Sequence, residues 1–163
     1  VTKFEEMIEN SEELYFDTEE YEDIIIYYLE MGDISFAETA VRYALNLHPD
    51  SLEIKIKKFE VLLELENYTL AKELMDELKE SSMESTDFLV CCAKYYSNLG
   101  NPRRAIEYCE AALKLEEEEN FLHNFMADEY VNLEDPFTAL KHYQLAFSFE
   151  HNDDSALDNI MVC

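Results

Sequence analysis

Glycine occurs twice and proline three times in 163 residues, and tryptophan does not occur at all. Sheets built from tight hairpins need glycine at positive-φ turn positions, so this scarcity argues against a β architecture and for long helices. It also excludes glycine-rich phosphate cradles: there is no G-x-x-x-x-G-K and no G-x-S-x-G. Bases are scarce too. Twelve Lys and Arg stand against 38 Asp and Glu, and the net charge of −26 repels nucleic acid and anionic membrane surfaces. No apolar run approaches the roughly 20 residues that cross a bilayer. The first residues, Val1 to Glu6, lack the basic-then-apolar order of a signal peptide, although a start at Val1 leaves room for a segment already removed. The expectation is a cytoplasmic chain with no membrane and no nucleic-acid partner.

Apolar residues make up 48% and aromatics 13%, enough for a packed core, so the acidity does not imply disorder. Cys91, Cys92, Cys109 and Cys163 show no C-x-x-C spacing and are read as reduced thiols, with Cys92 and Cys109 at packed positions. His48, His123, His142 and His151 form no H-x-x-x-H pair and are read as scattered surface or groove residues. The run Glu116 to Glu119 lacks the spaced ligands and glycine of a calcium loop and reads as a solvated linker. No catalytic constellation, metal site or cofactor site emerges, so the chain is not expected to be an enzyme. Asn67-Tyr68-Thr69 matches a glycosylation tripeptide but reads as a helix cap and turn.

Self-comparison is more informative. Ala37, Ala71, Ala105 and Ala139 recur every 34 residues. Tyr28, Leu62, Tyr96 and Tyr130 precede them by nine, Met31, Leu65, Leu99 and Leu133 by six, and Ala44, Leu78, Ala112 and Ala146 follow by seven. Asp33, Asn67, Asn101 and Asp135, four before each alanine, are predicted N-caps. Pro102 and Pro136 follow two of them at the first helical position, where the missing N–H costs nothing. Gly32 and Gly100 precede two caps and suit a left-handed helix end; Glu66 and Glu134 stand in the other two turns, which are expected to be less comfortable. Each unit therefore reads as a helix-turn-helix.

With its 34-residue period, Leu99-Gly100-Asn101, Ala105, Tyr108, Ala112 and Leu115 in one unit, and Gly32-Asp33, Ala37, Ala44, Leu47 and Pro49 in another, the chain resembles the tetratricopeptide repeat family. It departs at the missing tryptophan and at Lys55 and Lys58, which occupy slots usually apolar. The resemblance implies an all-α fold, a right-handed superhelical array of helix-turn-helix repeats. The units fall at 18–51, 52–85, 86–119 and 120–153. Residues 1–17 break the register: Phe4, Met7 and Ile8 form one apolar face, followed by Leu14, Tyr15 and Phe16, an expected capping helix with an aromatic plug. Ala156, Leu157, Ile160 and Met161 in 154–163 are expected to begin a fifth unit or a lone capping helix, so the chain reads as a piece of a longer array or as an array ending there.

The resemblance also implies a concave groove, lined by the first helix of each unit, that holds a partner segment. By register its residues are Glu19, Glu22, Ile26, Leu29 and Glu30 in the first unit and Glu53, Ile56, Glu60, Leu63 and Glu64 in the second. The third supplies Asp87, Val90, Lys94, Ser97 and Asn98, and the fourth Phe121, Asn124, Asp128, Val131 and Asn132. Carboxylates alternating with Ile, Leu, Val and Phe suit a basic, amphipathic protein segment. Family members that hold chaperone tails use basic and amide side chains where this chain has Glu22, Ile26 and Asp87; only Lys57 fits that scheme, so such a role is not expected. The expected function is a protein–protein interaction scaffold or adaptor. The alternative is a regulatory or substrate-recruiting repeat domain of a larger enzyme or assembly, and weak self-association through the repeat ends is a further expectation.

Overall fold

The structure, a computed structural model, describes residues 1–10, 14–115 and 120–150, with side chains up to Ser148. Glu116 to Glu119, His151, Cys163 and the expected restart at Ala156, Leu157, Ile160 and Met161 lie outside the described residues. Every regular element among those described is a helix: α1 (Thr2–Asn10), α2 (Thr18–Glu30), α3 (Ile34–Leu47), α4 (Leu52–Glu64), α5 (Tyr68–Ser82), α6 (Thr86–Asn98), α7 (Pro102–Ala112), α8 (Asn120–Asn132) and α9 (Pro136–Glu150). They fall into two compact units, Val1–Ser82 with α1 to α5 and Met83–Cys163 with α6 to α9.

All four predicted caps form. The side chains of Asp33, Asn67, Asn101 and Asp135 accept from the N–H of Phe36, Leu70, Arg104 and Thr138 at 3.2, 3.3, 3.3 and 3.1 Å. Each satisfies an amide that has no partner within its own helix. The same residues close the preceding helix. The N–H of Asp33, Asn67, Asn101 and Asp135 donates to the carbonyl five residues back, each at 2.9 Å, and the preceding residue donates to the carbonyl three back. This is the Schellman arrangement, and it requires a left-handed residue just before the cap. Gly32 and Gly100 supply it with φ of 72° and 67°, while Glu66 and Glu134 are held at 54° and 60°. A side chain in that region costs about 1–2 kcal/mol, so two turns carry the strain expected of them.

The alanine column packs where the helices of a pair meet: Ala37, Ala71 and Ala105 are 0% exposed and Ala139 2%. The column six residues earlier behaves differently, with Met31, Leu65 and Leu99 all exposed, because these residues end the first helix of each pair.

In the first unit the core runs from Phe4, Met7 and Phe16 through Tyr21, Ile25 and Tyr28 to Ala37, Val41 and Ile54. Phe4 meets Phe16 and Tyr21 edge-on at 6.0 and 6.2 Å, and the Tyr28 hydroxyl donates to Glu5 at 3.0 Å, tying α1 to α2. Tyr15 was expected in this plug but is 67% exposed and touches His48 edge-on; neighbouring Phe16 takes the buried place. Entry into α2 is fixed by a reciprocal pair: Asp17 accepts from the Glu20 N–H at 2.9 Å and Glu20 from the Asp17 N–H at 3.0 Å. The second unit packs Leu89, Ala93, Ile106, Cys109, Ala112, Leu122 and Met126 together. Cys91, Cys92 and Cys109 are all buried.

Candidate functional site

Within the first unit, α2 and α4, the first helices of two consecutive pairs, pack against each other. Of the expected groove residues on α2, Glu19 and Glu30 are exposed, while Glu22, Ile26 and Leu29 are partly buried. On α4, Glu53 and Glu64 are exposed and Glu60 is partly buried, whereas Ile56 and Leu63 are only 7% and 3% exposed. The last two are buried, not groove-lining as expected, because α4 packs against α2, α3 and α5 and must bury more of its circumference. Glu60 is not an idle carboxylate either: Lys57 lies 3.6 Å away, one turn back on the same helix. The Glu53 carboxyl is held below its usual range by its own backbone N–H and by the Ser51 hydroxyl, which donates to it at 2.8 Å. Glu19, Glu30 and Glu64 are thus exposed carboxylates on these two helices, and Ile26 and Leu29 on α2 are partly exposed apolar residues.

In the second unit, Asp87 on α6 is exposed, and Val90, Lys94 and Ser97 are partly buried. On α8, Phe121 is 45% exposed and leans on Phe125 at 6.1 Å; Val131 is 52% exposed, Asn124 is partly buried, and Asp128 accepts from the Tyr143 hydroxyl. Asn98 and Asn132 are exposed. This face is less acidic and more aromatic than that of the first unit.

Two features escape a reading made one residue at a time. Glu129 is only 3% exposed and accepts a hydrogen bond from Ser97 Oγ. It occupies the slot of Tyr27, Val61 and Tyr95 in the other units, so the signal was a carboxylate in an otherwise apolar column. Burial first, then the charges of Glu129 and Glu110, push the Cys109 thiol up to about 12. His123 and His142, expected as scattered residues, meet instead, with Nδ1 to Nδ1 at 3.0 Å. They stand in the slots of Leu89 and Tyr108, which explains their burial, and Tyr130 stacks on His142 at 5.3 Å as Tyr96 stacks on Tyr108 at 5.5 Å. Burial lowers both imidazoles; His142 adds to this at His123, and Glu110 opposes it at His142. Among the described residues no group of three or more His, Cys, Asp or Glu is placed to hold a metal ion, and no helix is long and apolar enough to cross a membrane.

Helix pairs joined by fused caps at a 34-residue period define an all-α, tetratricopeptide-like repeat fold. Solved structures of this kind match. MamA 41-end from Desulfovibrio magneticus RS-1 superposes with a TM-score of 0.67 at 23% identity, over 85% of this chain and 78% of that one. MamA MSR-1 gives 0.61 at 21%, over 83% and 78%, and a further MamA crystal structure gives 0.66 at 14%, over 84% and 80%. At these identities the likeness concerns the fold. No protein-family model matches the chain, and no curated protein does.

Proposed function

We propose that this chain is a protein–protein interaction scaffold whose first-helix surfaces hold a basic, amphipathic segment of a partner. The observation that carries this reading is the α2/α4 surface of the first unit. Exposed Glu19 and Glu30 share α2 with partly buried Ile26 and Leu29, and exposed Glu64 lies on α4, which packs against α2, a composition suited to cationic side chains spaced around apolar ones. On the second unit, exposed Phe121 and Val131 on α8 offer apolar anchors, with exposed Asp128 on the same helix and Asp87 on α6.

The test uses a synthetic helical peptide with a Leu face and a Lys face, followed by fluorescence anisotropy. Reversing Glu19, Glu30 and Glu64 to Lys should weaken binding about tenfold or more at low salt and less near 0.5 M, where the Debye length is below about 5 Å. Reversing Glu9, Glu80 and Glu107, exposed acids outside this surface, changes the net charge equally and should have a small effect. Equal losses from both variants would mean a diffuse field and no groove site.

A further inference from the structure

The seventh residues of the four units are Ile24, Lys58, Cys92 and Met126. Ile24, Cys92 and Met126 are core residues at 3%, 0% and 2% exposure, but Lys58 is only partly buried. Where the other units place an apolar side chain, this one has a long cationic stem, and the space beside it is not filled. An open cavity of about 520 Å³ adjoins Lys58, walled by Val41, Leu45, Val61, Leu62 and Leu65 with Arg42 at its edge. A smaller recess of about 150 Å³ adjoins the same Lys58 and Leu62 on the side of α5, against Leu70 and Leu74, and its carboxylates, Glu73 and Glu77, leave the larger cavity as the place for an anion. Lys58 thus lines two neighbouring recesses, the larger between α3 and α4 with Thr39 and Asn46 among its apolar walls, all within the first unit.

Its charge is unanswered. Neighbouring Lys55 lies 2.8 Å from Glu77, and Lys57 is 3.6 Å from Glu60. Lys58 makes no ion pair among the described residues, in a chain with three acids for every base. The Arg42 guanidinium lies over the Tyr43 ring, 5.6 Å from its centroid, and it too pairs with no carboxylate among the described residues. Two such cations beside apolar walls complement an anion with an apolar body. Glu38, which also lines the cavity, disfavours a second negative charge on the ligand. The volume falls in the range of small-ligand sites, roughly 300–1,000 Å³.

We propose that this larger cavity binds a small monoanionic amphiphile, a carboxylate on an unbranched apolar chain of about ten carbons. The head sits between Lys58 and Arg42, and the chain lies along Val41, Leu45, Val61, Leu62 and Leu65. The site faces the side of the second helices and is separate from the surface proposed for the protein partner, so either can fail without the other.

Decanoate is the probe, titrated below its micellar range into the whole chain, with calorimetry for affinity and methyl chemical shifts of Val41, Leu62 and Leu65 for location. Saturable binding with shifts at these methyls is expected, and decanol should bind about tenfold more weakly. Lys58→Met restores the residue type of the other units and keeps the fold, and it should cost decanoate about tenfold or more; Arg42→Gln, at the exposed edge, should cost several-fold. No saturable binding, equal binding to Lys58→Met, or decanol binding as tightly as decanoate would each overturn the proposal.

Discussion

His123 and His142 face each other Nδ1 to Nδ1 at 3.0 Å, so one ring must donate and the other accept, and the contact breaks once both Nδ1 atoms carry a proton. Both imidazoles are held below their usual pKa in the folded state, by burial and, at His123, by its partner. The folded form therefore takes up protons less readily than the unfolded form. The stabilisation is complete above about pH 6.5 and is lost as pH falls through the lowered folded values. Glu110, which faces His142 from α7, moderates the loss. Replacing the pair with the third unit's residues, His123→Leu with His142→Tyr, should remove this dependence. Wild type should lose on the order of 1 kcal/mol or less relative to the variant between about pH 7.5 and 5, solvent screening included. Urea melts at several pH values measure it; parallel curves would refute the assignment.

Glu66 and Glu134 occupy left-handed positions that glycine fills in the other two turns. Glu66→Gly and Glu134→Gly should each raise stability by about 0.5–1 kcal/mol, since relief of the strained φ outweighs glycine's extra freedom in the unfolded chain. Gly100→Ala should lower it by a similar amount, although nothing lies within 4 Å of the added carbon, so the cost would be conformational alone. Thermal unfolding of the three variants is the check.

Ala105 is fully buried where α6 and α7 cross. Ala105→Leu should destabilise by about 1–3 kcal/mol through overpacking, while Glu107→Ala, exposed on the same helix, should stay within about 0.5 kcal/mol. Equal effects in urea unfolding would contradict the packing.

Glu129 keeps its carboxylate among buried neighbours with Ser97 as its hydrogen-bond donor. Glu129→Gln retains an acceptor and removes the charge, so stability should hold or rise; Glu129→Ala leaves the Ser97 hydroxyl without that partner and should cost about 1–3 kcal/mol. The thiol of Cys109, pushed up to about 12, should resist alkylation at neutral pH until the second unit opens, and Glu129→Gln alone should not make it reactive, because burial is the larger cause. Timed iodoacetamide labelling with mass spectrometry reads both.

Much of the fold was legible because it repeats. The alanine column, the four caps and the left-handed turns follow from local chemistry that recurs every 34 residues, and a pattern seen four times can be read without tertiary knowledge. Less local features were harder. Ser51 and Ser85 cap α4 and α6 through the N–H of Ile54 and Phe88, caps missed because the repeat columns centre on the turn inside each pair. The burial of Ile56 and Leu63 was not, since register marks a helix face but not how deeply neighbouring helices cover it. Meetings across a helix pair, His123 with His142 or Ser97 with Glu129, are visible only when units are compared column by column for the residue that departs from its equivalents. Lys58 was noticed as a departure from the family's apolar slots; the cavity beside it was not, because unfilled volume has no signature in sequence.

The residue that ends one helix of a pair through its N–H also begins the next through its side chain, at Asp33, Asn67, Asn101 and Asp135 alike. A protease needs several residues of slack backbone to seat a scissile bond, and these turns offer almost none. The segments between pairs differ: His48 to Asp50 and Met83 to Glu84 link helices without a doubly used cap. Limited digestion should therefore release whole helix pairs and spare the bends inside them, so that in this chain the hairpin is the smallest piece that can be cut away intact.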